Sequence, residues 1–320
     1  MFEEISSKIA QLGIVPVVKL NRADDAVPLA RALTAGGLPV AEITFRTAAA
    51  EESIRRVASE CPDMLVGAGT VLSIEQVERA VGAGARFIVT PGFNPRVVSY
   101  CVEHNIPVYP GCPTTSDIEL ALEMGLRVVK FFPAEQMGGL ATIKAVSAPY
   151  GQMKFMPTGG VNEKNLCQYL ANNKIVACGG SWMVKPELID AGDFAAIEEL
   201  TRSAVRLMLG FEIRHVGINC ADDAEADAVA RKFSLLFGWP VAAGEKSDFA
   251  GSYIETMKGC GRGAKGHIAV GTNSVPRAIA HLNSMGVSID PDSVSLKDGQ
   301  PVLAYLKDEI GGFAVHIVQK

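Results

Sequence analysis

The run Val128-Val129-Lys130-Phe131-Phe132-Pro133-Ala134-Glu135 is apolar and β-prone, yet carries one lysine in its middle. In a strand alternate residues share a face, so Val128, Lys130 and Phe132 point one way and Val129, Phe131 and Pro133 the other. Neither face has the composition of a solvated one. An ammonium in apolar surroundings is disfavoured in its charged form, and the free amine left near neutral pH is a nucleophile toward a carbonyl. The alternative is that the lysine lies near a strand end and reaches water along its own stem, or pairs with a carboxylate. Taken alone, the run favours the alternative; its neighbours along the chain reverse that preference.

Working outward, short apolar runs at 14–20, 40–45, 64–70, 87–92, 107–112, 128–134, 154–160 and 175–181 alternate with amphipathic stretches at 24–35, 48–60, 74–82, 95–104, 115–124, 140–147 and 163–172. The first set reads as strands and the second as helices. Such an alternation over about 210 residues is the pattern of a compact (β/α)8 TIM barrel. Gly36, Gly84 and Gly125 follow helices, where a left-handed cap is expected. A doubly wound open sheet is the competing architecture, but no Gly-x-Gly-x-x-Gly turn follows the first run to support it.

A barrel gathers its chemistry at the C-terminal ends of its strands, and the unusual residues gather there. Glu42, Thr44 and Arg46 share one face of the second run, the face expected to point inward. The third ends Gly67-Ala68-Gly69-Thr70, the fourth Thr90-Pro91-Gly92 and the fifth Pro110-Gly111-Cys112; the seventh ends Pro157-Thr158-Gly159-Gly160 and the eighth Gly179-Gly180-Ser181. Glycines after the last two strands let backbone N–H groups approach an anion, and a helix beginning near Asn162 would add its dipole. Each feature has a structural alternative: strand-end glycines serve as turns, and Glu42 with Arg46 can form an internal ion pair. Their position beside an apolar-strand lysine tilts the reading toward catalysis. Lys19 faces opposite to Val18 and is left outside the site.

The bulk properties narrow the setting. The chain has 320 residues, 48% hydrophobic, enough for one large or two smaller cores. It opens on acidic Met1-Phe2-Glu3-Glu4 rather than a signal peptide and has no apolar run long enough to span a bilayer, so a cytoplasmic protein is expected. Seven scattered cysteines with no Cys-x-x-Cys pair, most of them in apolar contexts, read as reduced thiols, and a net charge of −5 without basic clusters argues against nucleic acid or an anionic membrane surface as partner.

The segments Ala41-Glu42-Ile43-Thr44-Phe45-Arg46-Thr47, Val66-Gly67-Ala68-Gly69-Thr70-Val71-Leu72, Lys130-Phe131-Phe132-Pro133-Ala134-Glu135, Pro157-Thr158-Gly159-Gly160-Val161 and Gly179-Gly180-Ser181-Trp182 resemble, in order, motifs of the bacterial 2-keto-3-deoxy-6-phosphogluconate (KDPG) / 4-hydroxy-2-oxoglutarate (KHG) aldolases. The likeness runs from about residue 8 to about residue 208. It implies a class I aldolase without metal or other cofactor, in which Lys130 forms a Schiff base and Glu42 is the general acid/base. It further implies that Arg46 and Thr70 hold the substrate carboxylate, Phe132 packs on the pyruvyl end, and Thr158, Gly159, Gly160, Gly180 and Ser181 bind the rest of a phosphorylated 2-keto acid. A homotrimer is expected on the same ground. Pro113, after Cys112, departs from the family pattern as an extra proline, expected to reshape one rim of the pocket without touching the named groups.

From Phe211 the sequence changes character and repeats itself. Arg214-His215-Val216-Gly217-Ile218, a helix and Phe237-Gly238-Trp239 are echoed by Gly266-His267-Ile268-Ala269-Val270, a helix and Met285-Gly286-Val287. Residues 211–320 thus resemble a smaller α+β domain of paired βαβββ modules, the glyoxalase-like or vicinal oxygen chelate fold, following an aldolase barrel over 1–210. That resemblance implies a divalent metal at His215, Glu255, His267 and His316, although the family more often has a carboxylate where His316 stands. No glycine-, proline- or serine-rich linker intervenes, which predicts direct packing of the two domains. The rival readings are a phosphosugar isomerase or epimerase, which would not need Lys130, and a metabolite-sensing barrel reporting through a metal-binding C-terminal domain.

Overall fold

A computed structural model describes residues 2–320, which divide between Met208 and Leu209 into two compact units. In the first, strands β1 (Ile14–Val18), β2 (Val40–Thr44), β3 (Leu65–Gly69), β4 (Ile88–Val89), β5 (Val108–Tyr109), β6 (Val128–Phe131), β7 (Lys154–Pro157) and β8 (Cys178–Gly180) alternate with helices. Six form one parallel sheet in the order β5-β4-β3-β2-β1-β8, and β6 pairs with β7. Single parallel bridges, Gly111 to Lys130 and Thr158 to Gly179, join that pair to the sheet on either side. The sheet therefore curls into an α/β barrel-like unit. Its strands are shorter than the apolar runs predicted, because the runs continue past the last ladder partner into turns such as Thr90-Pro91-Gly92.

Local sequence sets the helices. α1 (Phe2–Leu12), which the sequence reading missed, is amphipathic and buries Ile5 and Ile9. These two pack with Val15, Val40, Leu65, Phe87, Val89, Tyr109, Met156 and Ala177 in one apolar cluster, and Ser6 meets the Tyr109 hydroxyl at 2.9 Å. Then come α2 (Ala26–Ala35), α3 (Ala50–Glu60), α4 (Ile74–Gly82), α5 (Pro95–Glu103) and α6 (Thr115–Glu123). Ser73 caps α4, Asn94 caps α5 ahead of Pro95, and Thr114 with Asp117 forms a reciprocal capping box on α6. After α2 the left-handed residue is Gly37 (φ 94°) rather than the expected Gly36, whose place is set by close approach instead: a Cβ there would lie 2.6 Å from the Thr201 side chain. α7 (Gly139–Ser147), α8 (Leu166–Leu170), α9 (Pro186–Asp190) and α10 (Phe194–Leu209) complete the unit's helices.

The second unit runs β9 (Glu212–Asn219), α11 (Asp223–Phe237), β10 (Val241–Ala243), β11 (Ser247–Ala250), β12 (Ile254–Met257), then β13 (Gly266–Thr272), α12 (Val275–Ser284), β14 (Ser295–Lys297), β15 (Gln300–Tyr305) and β16 (Ala314–Gln319). Strand, helix and three strands thus occur twice. All eight strands share one sheet in the order β10-β11-β12-β9-β13-β16-β15-β14. In each half the first strand lies parallel to the last, β9 to β12 and β13 to β16, and the halves meet through antiparallel β9 and β13. Among the described residues no helix is long and apolar enough to cross a membrane.

Candidate functional sites

Glu42 lies in the middle of β2 and Lys130 near the end of β6. Lys130 Nζ stands 3.4 Å from Glu42 Oε1, with 5% and 1% of the two side chains exposed. The lysine thus pairs with a carboxylate, and that carboxylate is the expected acid/base rather than a surface residue. Glu42 is not paired with Arg46. Its second oxygen, Oε2, is buried without a hydrogen-bond partner, a costly arrangement unless something enters to use it. Lys130 Nζ also lies 5.1 Å from the centre of the Phe132 ring. Room for the Glu42 carboxylate comes from Gly69 at the end of β3, where a Cβ would fall 2.1 Å from Oε1.

Arg46 is exposed just beyond β2, and its Nε donates to Thr70 Oγ1 at 3.1 Å. Thr70 is held left-handed at φ 56°, a strained conformation for a β-branched residue and one that collects at functional sites. Thr44, between Glu42 and Arg46 on the same face, satisfies its buried hydroxyl on the Val18 carbonyl at 2.8 Å. A cleft of about 350 Å³ is lined by Lys19, Thr44, Arg46, Phe132, Thr158, Gly159, Gly160, Gly180 and Ser181, among others. Lys130 and Glu42 do not line it themselves, but Phe132 and Thr44 border it. Gly159 and Gly160 have φ of 96° and 82°, so the turn that presents their backbone to the cleft is built for glycine.

Two expectations change here. No helix starts near Asn162: α8 begins at Leu166 and has five residues. Asn162 Oδ1 accepts from Lys164 N (2.9 Å) and Asn165 Oδ1 from Asn162 N (2.8 Å), a cap on the turn that precedes the short helix. A helix dipole therefore adds little at Gly159-Gly160. Lys19, left outside the site on sequence, is exposed on the cleft wall. Face alternation failed there because Lys19 lies one residue past the end of β1. Gly69 was read only as part of a strand-end motif, and its steric role shows only once Glu42 is in place.

The second unit holds another constellation. His215 is on β9, Glu255 on β12, His267 on β13 and His316 on β16. In the sheet register Gly217 sits between Glu255 and His267, and Ala269 between His215 and His316. Large and small residues alternate across neighbouring strands, and the small ones make room: a Cβ on Gly217 would lie 2.0 Å from the His267 ring. His215 Nε2 and His267 Nε2 are 3.2 Å apart, and Glu255 Oε2 is 3.1 Å from the first and 3.0 Å from the second. Ser247 Oγ donates to the other oxygen, Oε1. His316 packs its ring 5.5 Å from His215 and 5.3 Å from His267, centre to centre, but does not join the triangle of donors.

While Glu255 is ionised, its Oε2 can accept an Nε2–H from each imidazole, and the same three atoms are also placed to hold one cation. One cation satisfies all three contacts. At metal–ligand bonds of about 2.1 Å, separations of 3.0–3.2 Å correspond to ligand–metal–ligand angles of roughly 90–100°. The donor set therefore fits a divalent ion. Burial works to raise the Glu255 carboxyl, but the contacts from His215, His267 and Ser247 outweigh it and hold the group well below the usual carboxylate range. Burial, with His267 and His215 alongside, pushes His316 down to about 4, and its Nδ1 is buried without a partner.

Comparison with known proteins bears on the first of these sites. The sequence model of the KDPG and KHG aldolases matches residues 5–200. The 2-dehydro-3-deoxy-phosphogluconate aldolase of Treponema pallidum is 48% identical over 204 residues, 64% of this chain and 97% of its own. The KHG/KDPG aldolase of Escherichia coli is 42% identical over 192 residues, 60% of this chain and 90% of its own. Among solved structures, the KDPG aldolase of Legionella pneumophila, with pyruvate captured as a covalent carbinolamine intermediate, superposes with a TM-score of 0.61 at 38% identity, covering 62% of this chain and 97% of that one. The Zymomonas mobilis enzyme with 3-phosphoglycerate gives 0.60 at 38% identity, covering 64% and 96%. The matched span takes in all eight strands of the first unit and both members of the buried pair: the chain belongs to the KDPG and KHG aldolase family.

Proposed function

We propose that the first unit is a (β/α)8 class I aldolase that cleaves 2-keto-3-deoxy-6-phosphogluconate to pyruvate and glyceraldehyde 3-phosphate, and also accepts 4-hydroxy-2-oxoglutarate, giving pyruvate and glyoxylate. The observation that carries this reading is the buried contact of Lys130 Nζ and Glu42 Oε1 at 3.4 Å. A proton moved from Lys130 to Glu42 leaves a neutral amine beside a neutral acid, with no isolated charge in the interior. The amine adds to the C2 carbonyl, and the carbinolamine loses water to form an iminium. Glu42 supplies and removes the protons of those steps and then takes the proton of the C4 hydroxyl. As that O–H bond breaks, the C4 carbonyl forms and the C3–C4 electron pair passes to the iminium, leaving an enamine. Protonation at C3 and hydrolysis release pyruvate and restore the lysine.

The rest of the cleft suits a molecule anionic at both ends. Arg46, aligned by Thr70, offers a planar fork to the C1 carboxylate. Phe132 covers the pyruvyl end. Thr158, Gly159, Gly160, Gly180 and Ser181 surround the distal phosphate, which favours the phosphorylated substrate. The decisive experiment is incubation with pyruvate and sodium borohydride followed by peptide mass spectrometry. A reduced adduct on Lys130 establishes the imine; a folded protein with no adduct on any lysine removes the mechanism.

We read the second unit as a glyoxalase-like domain whose His215, Glu255 and His267 hold a divalent ion, with His316 alongside. Support comes from the duplicated strand-helix-three-strand order and from the convergence of one donor atom from each of the three residues. The ion would supply Lewis acidity and open coordination positions. Metal analysis of the purified full chain and of its Glu255→Gln variant tests this.

A further inference from the structure

We infer that Tyr169 and Glu135 clamp the Gly159-Gly160 turn from outside the cleft, so that Tyr169 is a positioning residue on which the preference for a phosphorylated substrate depends. The inference rests on the reading of the cleft given above and extends it to two side chains that do not line it.

The backbone of the turn is pinned first. Ala134 N donates to the Thr158 carbonyl at 2.8 Å and Glu135 N to that of Gly159 at 3.1 Å, which carries the pairing of β6 with β7 past its last ladder partners, Phe131 and Pro157. The Gly160 carbonyl accepts from the side-chain amides of Asn162 at 2.9 Å and Asn165 at 3.2 Å. Because C=O and N–H point in opposite directions across a trans peptide, holding that oxygen also fixes the direction of the Val161 N–H.

The Glu135 side chain completes the hold. A Cβ on Gly160 would lie 2.6 Å from Glu135 Cβ, so the Glu135 stem fills the space that a side chain at residue 160 would take. Glu135 is exposed, and an exposed glutamate ordinarily keeps its rotamer freedom. Tyr169 removes that freedom. It is 1% exposed on α8 and donates its hydroxyl to Glu135 Oε1. Burial, with Glu135 alongside, pushes its ionisation well above the ordinary tyrosine value, so it stays a donor at any working pH. Gly139 leaves room for the bond: a Cβ there would fall 2.9 Å from the Tyr169 hydroxyl and 3.0 Å from Glu135 Oε1.

Charge makes the clamp selective. Glu135 is an acidic side chain beside a turn that receives an anion, and like charges close together repel more strongly as water is excluded. Tied to Tyr169, the carboxylate stays off the cleft; released, it is free to turn toward the phosphate while the turn itself loosens. A substrate without a phosphate feels neither change.

The test compares KDPG with 2-keto-3-deoxygluconate, which lacks only the phosphate, on the full chain. Tyr169→Phe keeps the buried ring and removes the hydroxyl. It is expected to raise KM for KDPG about tenfold, the loss of one hydrogen bond to a charged group, while kcat and the KM for 2-keto-3-deoxygluconate stay as in the parent. Glu135→Ala, a change at an exposed position, should reproduce the same split, and Glu135→Gln, which keeps an acceptor for the hydroxyl, should rescue it. A KM changed alike for the two substrates, or for neither, in both Tyr169→Phe and Glu135→Ala overturns the clamp and leaves the aldolase standing. Turnover of neither substrate by the parent chain overturns the aldolase reading and this inference together.

Discussion

Lys130 and Glu42, 88 residues apart in the chain, meet at 3.4 Å in the interior of the first unit, and Gly69 leaves the space in which the carboxylate lies. Because each partner neutralises the other, the two are expected to fail differently when separated. Lys130→Ala should abolish turnover and the borohydride adduct together. Glu42→Gln should still form the adduct, more slowly, while kcat falls by about 10²–10⁴, the range of general acid–base catalysis. Full activity in Glu42→Gln, measured by coupled assay of pyruvate release, would move the proton shuttle to another group.

Gly69→Ala tests the space itself. A Cβ 2.1 Å from Glu42 Oε1 forces the carboxylate aside, and a displacement near 1 Å costs about 10²-fold in rate. The loss should appear in kcat, with the circular dichroism spectrum unchanged. A variant within a few-fold of the parent would show that Glu42 has freedom the packing does not suggest.

Lys19 stands on the cleft wall near Ser181 and the glycine turn in sequence-distant elements. Lys19→Met should raise KM for the phosphorylated substrate about tenfold, the loss of one hydrogen bond to a charged group. KM for the unphosphorylated 2-keto-3-deoxygluconate should not change. Equal effects on both would place Lys19 outside the phosphate end.

Acid should weaken the second unit of the metal-free protein, and two groups act in the same direction. His316, held near 4 against an ordinary value of 6.5, refuses a proton that the unfolded chain accepts. Its contribution is therefore full above about pH 6.5 and lost as pH falls toward 4, by roughly 3 kcal/mol. Glu255, held low, contributes above its ordinary value of 4.5 and loses that contribution at still lower pH. Trp239 fluorescence in a Trp182→Phe chain reads the second unit's unfolding. His316→Phe should flatten the upper part of the curve; urea midpoints unchanged between pH 7 and 4 would contradict the assignment.

Periodicity and composition alone were enough to expect alternating strands and helices, a second sheet-rich region from about residue 211, and chemistry at strand ends around Lys130 and Glu42. Those readings depend on short-range rules, since the alternation of faces and the punctuation by glycine and proline are properties of a few consecutive residues. The amphipathic helix Phe2–Leu12 precedes the first strand and so lies outside the strand–helix alternation by which the other helices are legible. The helix expected over 163–172 is regular only over Leu166–Leu170, behind a capped turn at Asn162. Only tertiary structure decided that Glu42 pairs with Lys130 rather than Arg46, that Lys19 reaches the cleft, and that three of four predicted ligands converge while His316 stands beside them. Such choices turn on separations of about an ångström between residues tens of positions apart. Close packing of the elements that carry them sets those distances, through contacts as specific as Gly69 on Glu42 and Gly217 on His267.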